Sequence, residues 1–266
     1  GFGASPLGNI YQTHLSNEDA DNCVAYAIDH GINYFDVAPY YGNGLAEQRL
    51  GKALLPYRDK AIISTKVGRY GKNHFDFSAT CIRDSVENSL RCFNRDYIDI
   101  VFCHDIEFVD QALITETAIP MLVNLKHEGK LRHIGISGHP LDILLSVSAS
   151  PDVDIVLSYD HYHLLDQSLD TYIPKFRANT VSVINASPFA MGLLTSKGPP
   201  EWHPATQVQR EASHKLKESI SDSPKSIEHH AFEFSLNYPK VTSTLTGFST
   251  QSELQQCLSW LNQSHP

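Results

Sequence analysis

Along the chain, short β-branched runs alternate with stretches in which apolar residues return every three or four positions. The runs Asn33–Val37, Ala61–Lys66, Ile98–Cys103, His133–Ser137, Asp154–Tyr159, Val181–Ala186 and Thr242–Thr246 read as strands, and Gly1–Gly3 as the end of another, making eight. After Ser78, the residues Ile82, Val86, Leu90 and Phe93 fall at steps of four, four and three and so share one helix face. The Ser78 hydroxyl stands where it can accept an orphan N–H at the start of that helix. Ala20, Cys23, Val24, Ala27 and Ile28 form a second stripe, with Gly31 placed to end its helix.

Strand–helix alternation implies parallel strands joined by right-handed crossovers. Eight such units in 266 residues favour an α/β fold of the closed (β/α)8, or TIM barrel, kind over an open doubly wound sheet. No G-x-G-x-x-G follows a strand, which weakens the open-sheet reading further. No Pro/Ser-rich linker divides the chain, so residues 1–266 read as a single domain. The conspicuous irregular segment is Ser196–Ala205, whose glycine and prolines exclude a regular element.

Composition narrows the partners. Lys+Arg 21 against Asp+Glu 30 gives a net charge of −9, the wrong sign for a nucleic-acid binder. No apolar run approaches the roughly 20 residues that cross a bilayer, and no signal peptide opens the chain, so no membrane role is expected. Five scattered cysteines without a C-x-x-C pair suggest neither a disulfide framework nor a thiolate metal site, and point to the reducing cytoplasm. The pattern does not distinguish monomer from dimer.

In a barrel of this kind, chemistry gathers where the strands end. Asp36 closes the second strand, Lys66 the third, and His104 follows the fourth, while Tyr41 lies five residues beyond Asp36. Each alone is ordinarily structural; together they suit proton transfer coupled to hydride transfer. A phenol titrates near pKa ~10, too high for ready proton exchange at neutral pH. A neighbouring ammonium favours the phenolate, a carboxylate holds the ammonium, and an imidazole can orient a substrate oxygen. The alternative is an Asp–Lys ion pair closing the rim beside a packed tyrosine.

These four residues and the strings around them resemble the aldo-keto reductases. The strings are GFGASPLG (Gly1–Gly8), FDVAPYYG (Phe35–Gly42), FDFSA (Phe75–Ala79), CHDIEF (Cys103–Phe108), ASPFAMGLL (Ala186–Leu194), GPPEWHPA (Gly198–Ala205) and LTGFST (Leu245–Thr250). Within the family they are closest to members that oxidise free aldoses such as L-galactose. The resemblance implies a barrel that binds a nicotinamide cofactor, with Asp36, Tyr41, Lys66 and His104 as the catalytic tetrad. It implies Ser137 at the nicotinamide carboxamide, with Tyr159 a further candidate there, and the backbone around Ser187, Phe189 and Met191 at the pyrophosphate. Gly247, Phe248, Ser249 and Gln256 would border the adenosine. Departures also stand out: Gly138 where many members have Asn, Tyr159 where many have Gln, Ala186 where an aromatic often stacks, and Cys257 at a frequent adenine-binding Asn. The hairpin that caps the barrel bottom in many relatives is expected to be missing before Gly1.

The implied reaction is NAD-dependent oxidation of the anomeric carbon of a small-molecule aldose to its lactone, with Tyr41 as general base. NAD is expected over NADP, because the turn that would meet a 2′-phosphate offers Gly247 and Glu253 instead of cations. Rival readings are a carbonyl or pyridoxal reductase on the same barrel, and a regulatory subunit that binds cofactor without turnover. Trp202, Tyr11 and Tyr70, with Phe75, are candidates for the substrate wall, an aromatic ring being suited to the C–H face of a sugar; the equal alternative is that each anchors its loop onto the barrel. Among 14 histidines, His161 and His163 form an H-x-H expected on the sixth strand, read as pocket lining in preference to metal ligands.

Overall fold

The strands are β1 (Phe2–Gly3), β2 (Tyr34–Asp36), β3 (Ile62–Val67), β4 (Arg69–Gly71), β5 (His74–Phe75), β6 (Ile98–Cys103), β7 (Leu131–Gly138), β8 (Ile155–Tyr159), β9 (Ser182–Ala186) and β10 (Ser243–Gly247). All but β4 and β5 pair in parallel, in the order β1-β2-β3-β6-β7-β8-β9-β10, and β10 returns to β1 to close the barrel. The structure is a computed structural model that describes residues 1–10, 14–201 and 203–264. Every barrel strand lies within two residues of its sequence-based expectation. The antiparallel β4–β5 hairpin was not expected; its two strands are too short to display an alternation, and their register slips between Arg69 and Gly71.

Period-two alternation sorts the strand side chains into two layers. Tyr34, Ile100, Phe102, Leu157, Ile184 and Leu245 point inward and fill the barrel. Gly135 makes room there, since a Cβ on it would run into the Phe102 ring. The alternate positions Ile63, Val101, Ile134, Ile136, Val156 and Val183 face outward, against Ile82, Val86, Leu144, Ile173 and Phe176 of the surrounding helices. The helix over Ala79–Phe93 buries the expected Ile82, Val86, Leu90 and Phe93, and the Ser78 hydroxyl accepts from Cys81 N at 3.4 Å. Gly31, with φ +87°, follows the Asn17–Asp29 helix. Among the described residues no helix is long and apolar enough to cross a membrane.

The inward layer predicts where polar groups emerge. Two residues beyond Tyr34, Phe102, Leu157, Ile184 and Leu245 come Asp36, His104, Tyr159, Ala186 and Gly247, so the inner side chains of successive strands hand over to one ring of positions at the C-terminal opening.

Candidate active site

Lys66 is the centre of this ring. It is 2% exposed, and its Nζ donates to Asp36 Oδ2 at 2.6 Å, to the Val37 carbonyl at 2.9 Å and to Tyr41 Oη at 3.3 Å. Three acceptors therefore meet three ammonium protons, the condition under which a buried cation is tolerated. Asp36 is braced in turn: Ser64 Oγ donates to its Oδ1 at 2.7 Å, and the Tyr34 hydroxyl pairs with Ser64 Oγ at 2.9 Å. Burial and the nearby Asp36 charge drive the Tyr34 phenol far above its ordinary range, so it stays neutral.

Tyr41 reaches the site from a turn, not a strand. Its N–H donates to the Ala38 carbonyl at 3.0 Å, and Gly44 N donates to Pro39 O at 2.8 Å. Gly42, at φ +65°, lies against the backbone of Gly8 so closely that a side chain on either would collide. Arg49 ties the same region together by donating to the Leu7 and Leu15 carbonyls, both at 2.7 Å. The Tyr41 ring stands edge-on to His104, with centroids 5.8 Å apart and planes at 88°.

His104 is buried, and its imidazole pKa is pushed down to about 3, first by desolvation and then by the Lys66 and Arg69 cations, against the opposing pull of Asp105. It is therefore a neutral ring at physiological pH. Its Nδ1 is buried without a protein partner, and its Nε2 lies 3.5 Å from Asp105 Oδ2. Asp105 holds the left-handed conformation, with φ 51°, and its carboxylate is ion-paired to Arg69. The Arg69 guanidinium rests 4.2 Å from the Tyr40 ring centre. Sequence reasoning missed Arg69, Asp105 and Tyr40; the strings YYG and CHDIEF contained the last two, but only the hairpin brings Arg69 to them.

Ser137 and Tyr159 stand beside this group on β7 and β8. Ser137 Oγ donates to the Cys103 carbonyl at 3.3 Å and accepts from Asp105 N at 3.4 Å. The Tyr159 hydroxyl donates to Glu107 Oε1 at 3.5 Å, and burial together with Asp105 and Glu107 raises its phenol strongly. Beyond β9, Ser187, Ala190 and Met191 all have positive φ (67°, 46° and 49°). Left-handed residues bunched in one turn form the concave backbone that receives anions. Gly247 ends β10 exposed, and Ser249 N donates to Glu253 Oε2 at 2.7 Å. Gln256 is exposed one residue before the buried Cys257. The left-handed turn after β9, in which Ala190 N and Gly192 N already donate to Ser187 O and Phe189 O, the exposed Gly247 edge and the unpartnered His104 Nδ1 are the features here that fit a bound dinucleotide.

Several expected placements need correction. The Phe248 side chain is buried against Phe2, with ring centres 5.5 Å apart, so it offers only backbone to the opening. Tyr70 belongs to the hairpin; its hydroxyl accepts from Gly68 N at 3.1 Å and faces Ser85 and Cys81, which removes it from the substrate wall. Phe75 stacks on Phe108 at 5.1 Å. The Phe189 ring stacks on Phe232; the expectation at 189 concerned its backbone, and this contact does not change it. His161 and His163 lie beyond the end of β8 and not on it, because the strand stops at Tyr159. His161 Nδ1 pairs with Ser158 Oγ at 3.0 Å, and His163 Nδ1 accepts from Leu165 N at 3.2 Å. Among the described residues no three His, Cys, Asp or Glu side chains gather as a metal set. Tyr11 and Trp202 lie outside the described residues.

A closed (β/α)8 barrel with a carboxylate, a phenol, an ammonium and an imidazole at one opening is the arrangement of aldo-keto reductases. Residues 1–264 match the model of the Aldo/keto reductase family, and the chain belongs to that family. An L-galactose dehydrogenase from Arabidopsis thaliana is 44% identical over 262 residues, covering 96% of this chain and 82% of its own length. A D-arabinose 1-dehydrogenase from Saccharomyces cerevisiae is 34% identical, over 84% of this chain and 68% of its own. Among solved structures, the holo form of an aldo-keto reductase from Bacillus halodurans superposes with a TM-score of 0.83 at 27% identity, covering 98% of this chain and 85% of that one.

Proposed function

We propose that the chain is an NAD-dependent dehydrogenase that oxidises the anomeric carbon of a free aldose, L-galactose being the first candidate, to the lactone. The observation that carries this reading is the Lys66 ammonium bonded at once to Asp36 and to the Tyr41 phenol oxygen. An ammonium at that distance, desolvated and fixed, stabilises phenolate over phenol. Tyr41 then takes the proton of the anomeric hydroxyl as general base. His104, neutral and with an unpartnered ring nitrogen, aligns the substrate oxygen against Tyr41. A bound nicotinamide dinucleotide supplies the hydride acceptor, held by Ser137, Tyr159, the Ser187–Met191 backbone and the Gly247–Ser249 turn. Loss of the proton and the hydride leaves a carbonyl at the ring carbon, which is the lactone.

The names of the plant and yeast relatives support an aldose as substrate. Preference for NAD is supported by the segment from Gly247 to Gln256, which holds no Lys or Arg and turns the Glu253 carboxylate onto Ser249 N. A carboxylate repels a 2′-phosphate yet accepts from a ribose hydroxyl. Five free cysteines are in keeping with the cytoplasm. The test is absorbance at the reduced-nicotinamide band, NAD against NADP, with L-galactose, L-fucose and D-arabinose. Reduction of NAD by L-galactose is expected; activity confined to NADPH and carbonyl compounds would overturn the reading.

A further inference from the structure

Glu107 lies in the turn after β6, at the edge of the opening. Its Oε1 accepts from His139 N at 3.0 Å and from the Tyr159 hydroxyl at 3.5 Å. Its Oε2 is buried and has no partner. A carboxylate oxygen so placed is costly unless something donates to it. Gly138 is the reason it fits: a Cβ there would lie 2.5 Å from Glu107 Oε2. The volume that a side chain at 138 would claim is filled from across the rim by a carboxylate.

The site's topology says which ligand group passes nearby. Hydride transfer requires the nicotinamide ring to abut a carbon held between Tyr41 and His104. In the barrel, β7 and β8 follow β6 directly, so their ends, with Ser137 and Tyr159, flank that position. Glu107 bridges those two ends. Ser137 Oγ has to turn its proton from the Cys103 carbonyl to meet a ligand carbonyl; no side chain at 138 offers an acceptor for an amide N–H, and Glu107 Oε2 does.

We propose that Glu107 Oε2 accepts a hydrogen bond from the carboxamide NH2 of bound nicotinamide, taking the place of a side chain at Gly138. The assignment rests on the nicotinamide reading above. It makes Glu107 a cofactor-recognition residue, and it sets a negative group near the positive charge of the oxidised ring. Burial raises the Glu107 carboxyl in the free protein; a donor and a cationic ring both act to restore the ionised form.

Equilibrium binding tests this with NAD and its 3-acetylpyridine analogue, which keeps the ring carbonyl but lacks the amide N–H. The wild-type chain should favour NAD by about tenfold, the scale of one hydrogen bond to a charged group. Glu107→Ala should bring the ratio toward one, while Glu107→Gln, which keeps a carbonyl acceptor, should retain most of it. Gly138→Ala leaves the carboxylate present but pushes it aside, and should also collapse the ratio; only a flexible side-chain end has to move, so the fold is kept. An unchanged ratio in folded Glu107→Ala and Gly138→Ala proteins would overturn the assignment. Binding of neither dinucleotide by the wild type would instead overturn the nicotinamide reading, and this assignment with it.

Discussion

Lys66 Nζ lies 2.6 Å from Asp36 Oδ2, with the two side chains only 2% and 7% exposed. Breaking a buried pair from one side leaves a desolvated charge, at a cost of about 3–5 kcal/mol. Asp36→Asn should therefore lower the free energy of unfolding by roughly that amount, and Lys66→Met likewise. The double variant should be less destabilised than the two losses added together, because no lone charge remains. Urea melts of all four proteins read this directly; simple additivity would mean that the pair is not coupled.

The same ammonium should shape the pH profile of the proposed oxidation. Without it the Tyr41 phenol lacks the neighbour that favours its ionised form, and its ordinary titration lies near pH ~10. Lys66→Met should move the pH optimum of oxidation upward and slow turnover at neutral pH. The pH dependence of kcat at saturating cofactor checks this, and an unmoved optimum counts against the ammonium's role.

His104 gives a stability signature of definite sign. Its folded pKa of about 3 lies below the ordinary 6.5 of an unfolded histidine, so the unfolded chain takes up a proton first as the pH falls. The stability associated with the neutral ring is present above pH 6.5 and is lost progressively down to about 3. One proton corresponds to about 1.4 kcal/mol per pH unit. His161, pushed to about 4 chiefly by burial, acts in the same direction. His104→Asn should make the acid slope of stability shallower by close to one proton, as read from urea melts between pH 7 and pH 4.

Cofactor choice should follow one carboxylate. Replacing Glu253 by Lys removes the repulsion of a 2′-phosphate and supplies a cation for it. The ratio of kcat/KM for NADP over NAD should rise by roughly tenfold or more, since close charge-assisted contacts are worth about 1.5–3 kcal/mol. The variant also loses the Glu253 bond to Ser249 N, so a small fall in stability is expected alongside.

Much of the site was legible because strand periodicity carries it. Asp36 and His104 each stand two residues beyond an inward core side chain, and Lys66 two beyond inward-facing Ser64, so a correct strand assignment places all three at one opening. Tyr41 follows from its short distance to Asp36 and from the glycine beside it. Arg69 was not legible, because a hairpin of two very short strands delivers it to Asp105. Glu107 was hidden for a different reason: its meaning depends on a neighbour that lacks a side chain, Gly138, and on a contact across two strands. Tyr70 shows the limit of composition, since an aromatic near a rim can as readily turn toward a helix as toward a ligand.

The most direct measurement compares wild-type and Tyr41→Phe proteins for L-galactose-dependent reduction of NAD, with NAD binding measured in parallel. Removal of a single phenol oxygen should leave the fold and the cofactor affinity in place while kcat falls by about 10²–10⁴-fold, the range for losing a general base. A Tyr41→Phe protein that binds NAD and turns over at a near-normal rate would contradict the assignment of proton transfer to Tyr41.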